Sequence, residues 1–257
     1  MVVRARINGE EAPFIFDSGV GVTLLGAMFA ERVGVEPSRG EFSGRRMSGQ
    51  EVSLALGEAS SIELGPFLRE NVTVGIFDLG GVPPELAELA GFLSLGVFGD
   101  SVTVDYARSE LRAERVEGVE VPLELHADGP SLDAYMTLEL PSGRRVLVEV
   151  DMGSDVLILD ERFANDVGVD LADEALLRRE GMDETGYRYL RTFGAVAGVV
   201  QPAGAPELGQ RDPQVIFQSI IHDGLVGHDF LSRFAAVTWD LAGARLIFAR
   251  AGPQPPP

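Results

Sequence analysis

Phe14-Ile15-Phe16-Asp17-Ser18-Gly19-Val20-Gly21-Val22-Thr23-Leu24-Leu25 is the stretch on which the reading of this chain turns. An apolar strand runs into one acid, then a small hydroxyl residue and a glycine, then becomes apolar again. A carboxylate set between Phe16 and Val20 is costly unless its pKa shifts or a partner satisfies it. The same plan returns in Val146-Leu147-Val148-Glu149-Val150-Asp151-Met152-Gly153-Ser154-Asp155-Val156-Leu157-Ile158-Leu159. Asp17 and Asp151 are 151 − 17 = 134 positions apart. At that one offset Gly19 meets Gly153, Val22 meets Val156, Leu25 meets Leu159, Phe29 meets Phe163 and Gly34 meets Gly168. An ungapped match of this length reads as an internal duplication, each copy delivering one acid on a tight turn.

Asp-Ser-Gly after an apolar strand resembles the catalytic turn of aspartic proteases. The compact copies, with Leu24-Leu25 and a short helix closing on Val33-Gly34-Val35, are most similar to the retropepsin-like branch. The resemblance spans nearly the whole chain in two fused copies, as in the two-lobed pepsins. It implies a mainly β fold of two retropepsin-like (acid protease) lobes with a few short helices. The expected layout is an N-terminal lobe over 1–116, a junction over 117–133, a C-terminal lobe over 134–250 and a disordered proline-rich tail over 251–257.

Composition sets outer limits. A chain of 257 residues can bury a sizeable core as one large domain or two small ones. Its 45% apolar and 24% charged content is ordinary for a soluble globular protein. A net charge of −19 argues against nucleic acid and against anionic membrane surfaces. Without cysteine there are no disulfides and no thiolate metal sites. No apolar run reaches the length of a membrane span. No signal peptide is visible, so the expected location is cytoplasmic, or secreted or periplasmic if the true start lies upstream.

Along the chain, Val3, Ala5 and Ile7 alternate with Arg4 and Arg6 as a half-buried strand, and Asn8-Gly9 predicts a tight hairpin. Val20–Leu25 reads as a buried strand and Ala27–Val33 as a short helix stopped by Gly34. Pro83-Pro84-Glu85 predicts a helix running to Ala90. In the second copy, Tyr135–Leu140 and Val146–Val150 predict a hairpin. Asp160 is a candidate N-cap for a helix over Glu161–Val167. Leu171–Arg179 reads as an added amphipathic helix, and Gln201–Pro213 as a loop.

The resemblance assigns Asp17 and Asp151 as the catalytic pair, with Ser18, Gly19, Met152, Gly153 and Ser154 supporting the two turns. One ionised carboxylate takes a proton from water while the other, protonated, polarises the scissile carbonyl. Two adjacent carboxyls cannot both ionise, so one shared proton supplies both roles. The alternative is that each acid merely caps its own turn, a common use of Asp. Two hairpin tips correspond to the flaps of the family: Gly44, Arg45, Arg46, Met47 and Gly49 in copy one, and Gly181, Met182 and Gly186 in copy two. Ordinary surface hairpins are the competing reading.

Two positions depart from the family pattern. Met152 stands where a hydroxyl residue follows the acid, and Ser94 replaces the second glycine of the Gly-x-x-Gly brace that copy two keeps as Gly224 and Gly227. Asp151, Asp155 and Asp160 lack the spacing of a calcium loop. His222-Asp223 and His228-Asp229 read as strand-end polar residues rather than a metal pair. No cofactor and no metal are expected. The expected function is an aspartic endopeptidase acting on peptide or protein substrate, as a monomer with a pseudo-dimeric site. The alternative is a catalytically silent relative that binds a peptide or partner between the lobes.

Overall fold

The structure, a computed structural model, describes residues 1–78, 88–182 and 187–249. In the first lobe the chain runs through β1 (Val2–Ile7), β2 (Glu10–Phe16), β3 (Leu24–Gly26), α1 (Ala27–Arg32), β4 (Glu41–Arg45), β5 (Glu51–Leu64), β6 (Phe67–Phe77) and β7 (Gly91–Leu93). Next come β8 (Ser101–Asp105), β9 (Glu110–Arg112), β10 (Val119–Pro122) and β11 (Glu124–Asp128). The second lobe follows with β12 (Ser131–Glu139), β13 (Arg145–Val150), β14 (Leu157–Leu159), β15 (Leu177–Met182) and β16 (Arg188–Ala195). It continues with β17 (Val199–Pro202), β18 (Gln210–Arg211), β19 (Gln214–Phe217), β20 (Gly224–Val226) and α2 (His228–Leu231). β21 (Ala236–Asp240) and β22 (Arg245–Ala249) end the described chain.

The duplication is written in the strand order. The first sheet runs β1-β2-β7-β3-β6-β5-β4, and the second contains β12-β13-β20-β14-β19-β16-β15 in the corresponding sequence. Registers agree as well. Parallel pairing sets Phe14 against Gly91 in one lobe and Val148 against Gly224 in the other. Antiparallel pairing sets Leu25 against Gly91 and Leu159 against Gly224. The predicted Asn8-Gly9 hairpin is present, both residues at positive φ (49° and 87°), which suits the twist of the strands it joins.

A five-stranded sheet, β10-β22-β21-β8-β9, ties the lobes together. Thr103 on β8 lies opposite Thr238 on β21, and their hydroxyls meet at 2.6 Å. Asp105 and Asp240 sit at matching positions, each almost wholly buried. Asp105 accepts from the Arg108 N–H and pairs with Arg108 and Arg112. Asp240 accepts from the Gly243 N–H and pairs with Arg245 and Arg115. Burial pushes both carboxyls up, and these bonds and charges outweigh it, holding both below the ordinary value. Trp239 is fully buried and meets Phe16, the residue before Asp17, edge-on at 6.4 Å, while Phe98 meets Phe16 at 4.7 Å. Burying each such ring contributes about 1.5–3 kcal/mol.

Several expectations need correction. The strand expected over Val20–Leu25 is only Leu24–Gly26, because the turn after Asp17 takes up the preceding residues. Glu161–Val167 is two short 3-10 turns, Glu161–Phe163 and Asn165–Val167, with Asp160 accepting from the Arg162 N–H as the expected cap. No helix forms over Leu171–Arg179. The Asp170 and Asp173 side chains accept from the N–H groups of Ala172 and Ala175, which competes with helix bonding, and the chain then enters β15. Gln201–Pro213 contributes to β17, a 3-10 turn over Pro206–Leu208 and all of β18. The helix predicted from Pro83 lies largely outside the described residues, as do Gly186 and the 251–257 tail. No helix among the described residues is long and apolar enough to cross a membrane.

Candidate active site

β2 and β13 each end at an acid. Strand β7 braces the first turn, with the Asp17 N–H donating to Leu93 O at 3.1 Å. Strand β20 braces the second, with the Asp151 N–H donating to Val226 O at 3.0 Å. Each carboxylate accepts from the glycine two residues on: Gly19 N–H to Asp17 Oδ1 at 2.9 Å, and Gly153 N–H to Asp151 Oδ1 at 2.7 Å. The acids also cross over. A Cβ built on Gly19 would stand 2.5 Å from Asp151 Cγ, and one on Gly153 would stand 2.8 Å from Asp17 Cγ. Only glycine leaves room for the opposing carboxyl.

The two side chains are therefore neighbours. Burial first, then the charge of Asp17, pushes the Asp151 carboxyl up to about 7. The bonds from the Gly153 and Ser154 backbone oppose this without cancelling it. The Asp151 carboxyl thus holds its proton well above the ordinary range of an aspartate.

Support for the turns is lopsided. Ser18 is fully buried; its hydroxyl donates to Val150 O at 2.6 Å and accepts from the Met152 N–H at 3.0 Å. Met152 is buried among the apolar core residues and has no oxygen with which to answer. Ser154 turns away from the acids and donates to Val156 O. The brace shows why Ser94 is tolerated. A Cβ on Gly227 would stand 2.7 Å from the Ser154 carbonyl carbon, which demands glycine. In copy one Thr23 receives Ser94 instead, accepting from its N–H at 3.1 Å and meeting its hydroxyl at 3.0 Å.

Residues 3–97 match the family described as aspartyl protease. The first lobe therefore carries that family's pattern. Among solved structures, it is similar to a retropepsin-like aspartic protease from Rickettsia conorii, at 19% identity. That match covers 51% of this chain and 100% of the other, with a TM-score of 0.39. None of the curated proteins matches.

The two hairpins are β4–β5 and β15–β16. In the first, β4 and β5 pair through Gly44 and Arg45, and the turn closes with the Gly49 N–H on Arg46 O. Its tip reaches the other lobe: Met47 O accepts from the Ile221 N–H at 2.8 Å, and Met47 packs on Ile158, Ile216, Ile220 and Leu225. The second hairpin pairs Met182 with Arg188; Met182 is exposed, and Gly181 lies under the Tyr189 ring. The rest of that tip, 183–186, lies outside the described residues.

One group near the two acids was not anticipated. Glu149 lies on β13 two residues before Asp151, which stands just past the end of that strand, and the charge of Asp151 acts on it. It is 6% exposed, and burial, then the charges of Asp151, Asp133 and Asp17, push its carboxyl up to about 9. His222 Nε2 lies 3.7 Å from Glu149 Oε2, beyond hydrogen-bond reach, and burial holds that imidazole below its ordinary value. Asp223 instead accepts from the Leu147 N–H and pairs with Arg162, a strand-end role. Among the described residues, no group of three or more His, Asp and Glu is placed to hold a metal.

Proposed function

We propose that this protein is an aspartic-type endopeptidase, with Asp17 and Asp151 as its catalytic pair. The observation that carries this reading is the juxtaposition of two duplicated carboxyls, each against the other's glycine. In the proposed step the ionised carboxylate takes a proton from water as its oxygen attacks the scissile carbonyl carbon. The protonated carboxyl gives its proton to the carbonyl oxygen. The tetrahedral intermediate then collapses, the C–N bond breaks and the departing nitrogen receives a proton from the dyad. An extended peptide lying beneath the β4–β5 hairpin would pair with its backbone, as strands do. The site is proposed to be complete within one chain, with lobes over 1–116 and 134–250 about a 117–133 junction.

The test is cleavage of an unstructured protein scanned from acid to neutral pH. Asp17→Asn and Asp151→Asn are each expected to abolish hydrolysis while the protein stays folded. Specific activity is expected to hold constant on dilution. Full activity in either variant would sink the assignment. Met152 favours a second reading, a silent relative that binds peptide at the same place, because the hydroxyl that would secure the second turn is missing. Binding of peptide without hydrolysis at any pH would select it.

A further inference from the structure

We propose that Glu149 makes the wall beside Asp151 a binding position for a cationic side chain, lysine or arginine, on a residue flanking the scissile bond. The cleavage arm of this inference rests on the endopeptidase reading; its binding arm does not. Glu149 is a carboxyl whose side chain is 8% exposed and which makes no hydrogen bond among the described residues. Such a group is costly in a core and is retained where something arrives to satisfy it. It stands on β13 opposite Tyr135 of β12, two residues before Asp151.

Its surroundings define what can arrive. The groups facing it are Asp151, Asp133 and Asp17, all acidic, with Tyr135 opposite on β12 and His222 beside it. His126 stacks on the Tyr135 ring at 4.7 Å between centroids, its Nε2 meets Glu124, and its influence falls on Asp133. Asp133 is tied to the Ser131 hydroxyl, and burial pushes it up too. The Met1 ammonium acts on Asp17. The charges that act on Glu149 itself are all acidic, which favours a positive charge there and resists a further anion. The overall charge of −19 would steer the same substrates toward the protein.

An entering ammonium or guanidinium would pair with Glu149 and draw off its proton, which passes to solvent. An apolar side chain of similar length would leave the acid buried and unpaired. Proton release therefore separates a binding role from a purely structural one.

The experiment uses the full chain and two peptide sets, with lysine or norleucine at each position flanking the cleaved bond. Cleavage is measured as kcat/KM. Binding is measured by calorimetry at pH 7 in buffers of different ionisation enthalpy. The wild type is expected to favour lysine about tenfold or more and to release protons on binding it. Glu149→Gln, its folding checked by melting, is expected to lose both the preference and the proton release. Glu149→Leu is expected to favour norleucine. Equal handling of the two sets by the wild type, binding of neither, or an undiminished lysine preference in Glu149→Gln overturns the inference. If nothing is cleaved yet lysine binding keeps its dependence on Glu149, the endopeptidase reading fails and this inference stands.

Discussion

Ser18 Oγ accepts from the Met152 N–H at 3.0 Å and donates to Val150 O at 2.6 Å, and Met152 has no hydroxyl to return either bond. The lobe junction beneath the two acids is therefore held from one side. In a symmetric junction the two turns would share this load; here Ser18 bears the side-chain part of it alone.

Ser18→Ala is expected to destabilise the protein by roughly 1–3 kcal/mol, the cost of leaving a buried donor or acceptor unpaired. Urea denaturation gives the number. An unchanged midpoint would mean that the hydroxyl does not hold the junction.

Met152→Thr offers the missing hydroxyl but withdraws a buried thioether. A net hydrogen bond contributes about 0.5–1.5 kcal/mol, whereas a buried methionine side chain contributes about 1.5–3 kcal/mol. Because Met152 is 6% exposed within the main core, packing is expected to prevail and the melting temperature to fall. A rise would show that the second half of the junction matters more than its packing.

Gly153→Ala places a methyl 2.8 Å from Asp17 Cγ. The carboxyl must move, and errors of about 1 Å in catalytic geometry lower rates on the order of a hundredfold. Circular dichroism is expected to stay native while kcat collapses. Retained kcat would contradict the placement of Asp17 against this turn.

The proposed mechanism sets a pH–rate profile. It needs the Asp151 proton in place, and burial and the charge of Asp17 push that carboxyl up to about 7. Activity on a neutral peptide is expected to fall as pH rises through about 7. A profile still climbing at pH 9 would rule out a proton held by this pair.

Stability carries a second pH signature. The Glu149 carboxyl is pushed up to about 9 when folded, against about 4.3 in an unfolded chain. Between those values the folded state binds the proton and the unfolded state gives it up, so stability falls as pH rises. Asp151, raised to about 7, acts in the same direction over its own window. Glu149→Gln should remove the Glu149 part: little difference near pH 4, and a gain of at least about 1 kcal/mol by pH 9. Calorimetric melting at pH 4, 7 and 9 measures it, and parallel curves for the two proteins would refute it.

The sequence by itself determined the duplication, the mainly β class, the Asn8-Gly9 hairpin and the placing of Asp17 and Asp151 at matching turns. These are local or periodic features: alternation, a dipeptide with a conformational preference, a motif repeated at one offset. It misjudged Leu171–Arg179 because its apolar spacing suits a helix, while Asp170 and Asp173 satisfy the backbone in another way. Tertiary structure alone decided three further things. It set the carboxyls against each other's glycines, set Met47 on the opposite lobe, and replaced the missing brace glycine by pairing Ser94 with Thr23. It also gave Glu149 its character. In the sequence Glu149 is one acid in an apolar strand. Its buried, proton-holding state arises from residues far apart in the chain, Asp17, Asp133 and His222, meeting beside β13. Electrostatics and burial sum over neighbours in space, so only the folded chain could fix them.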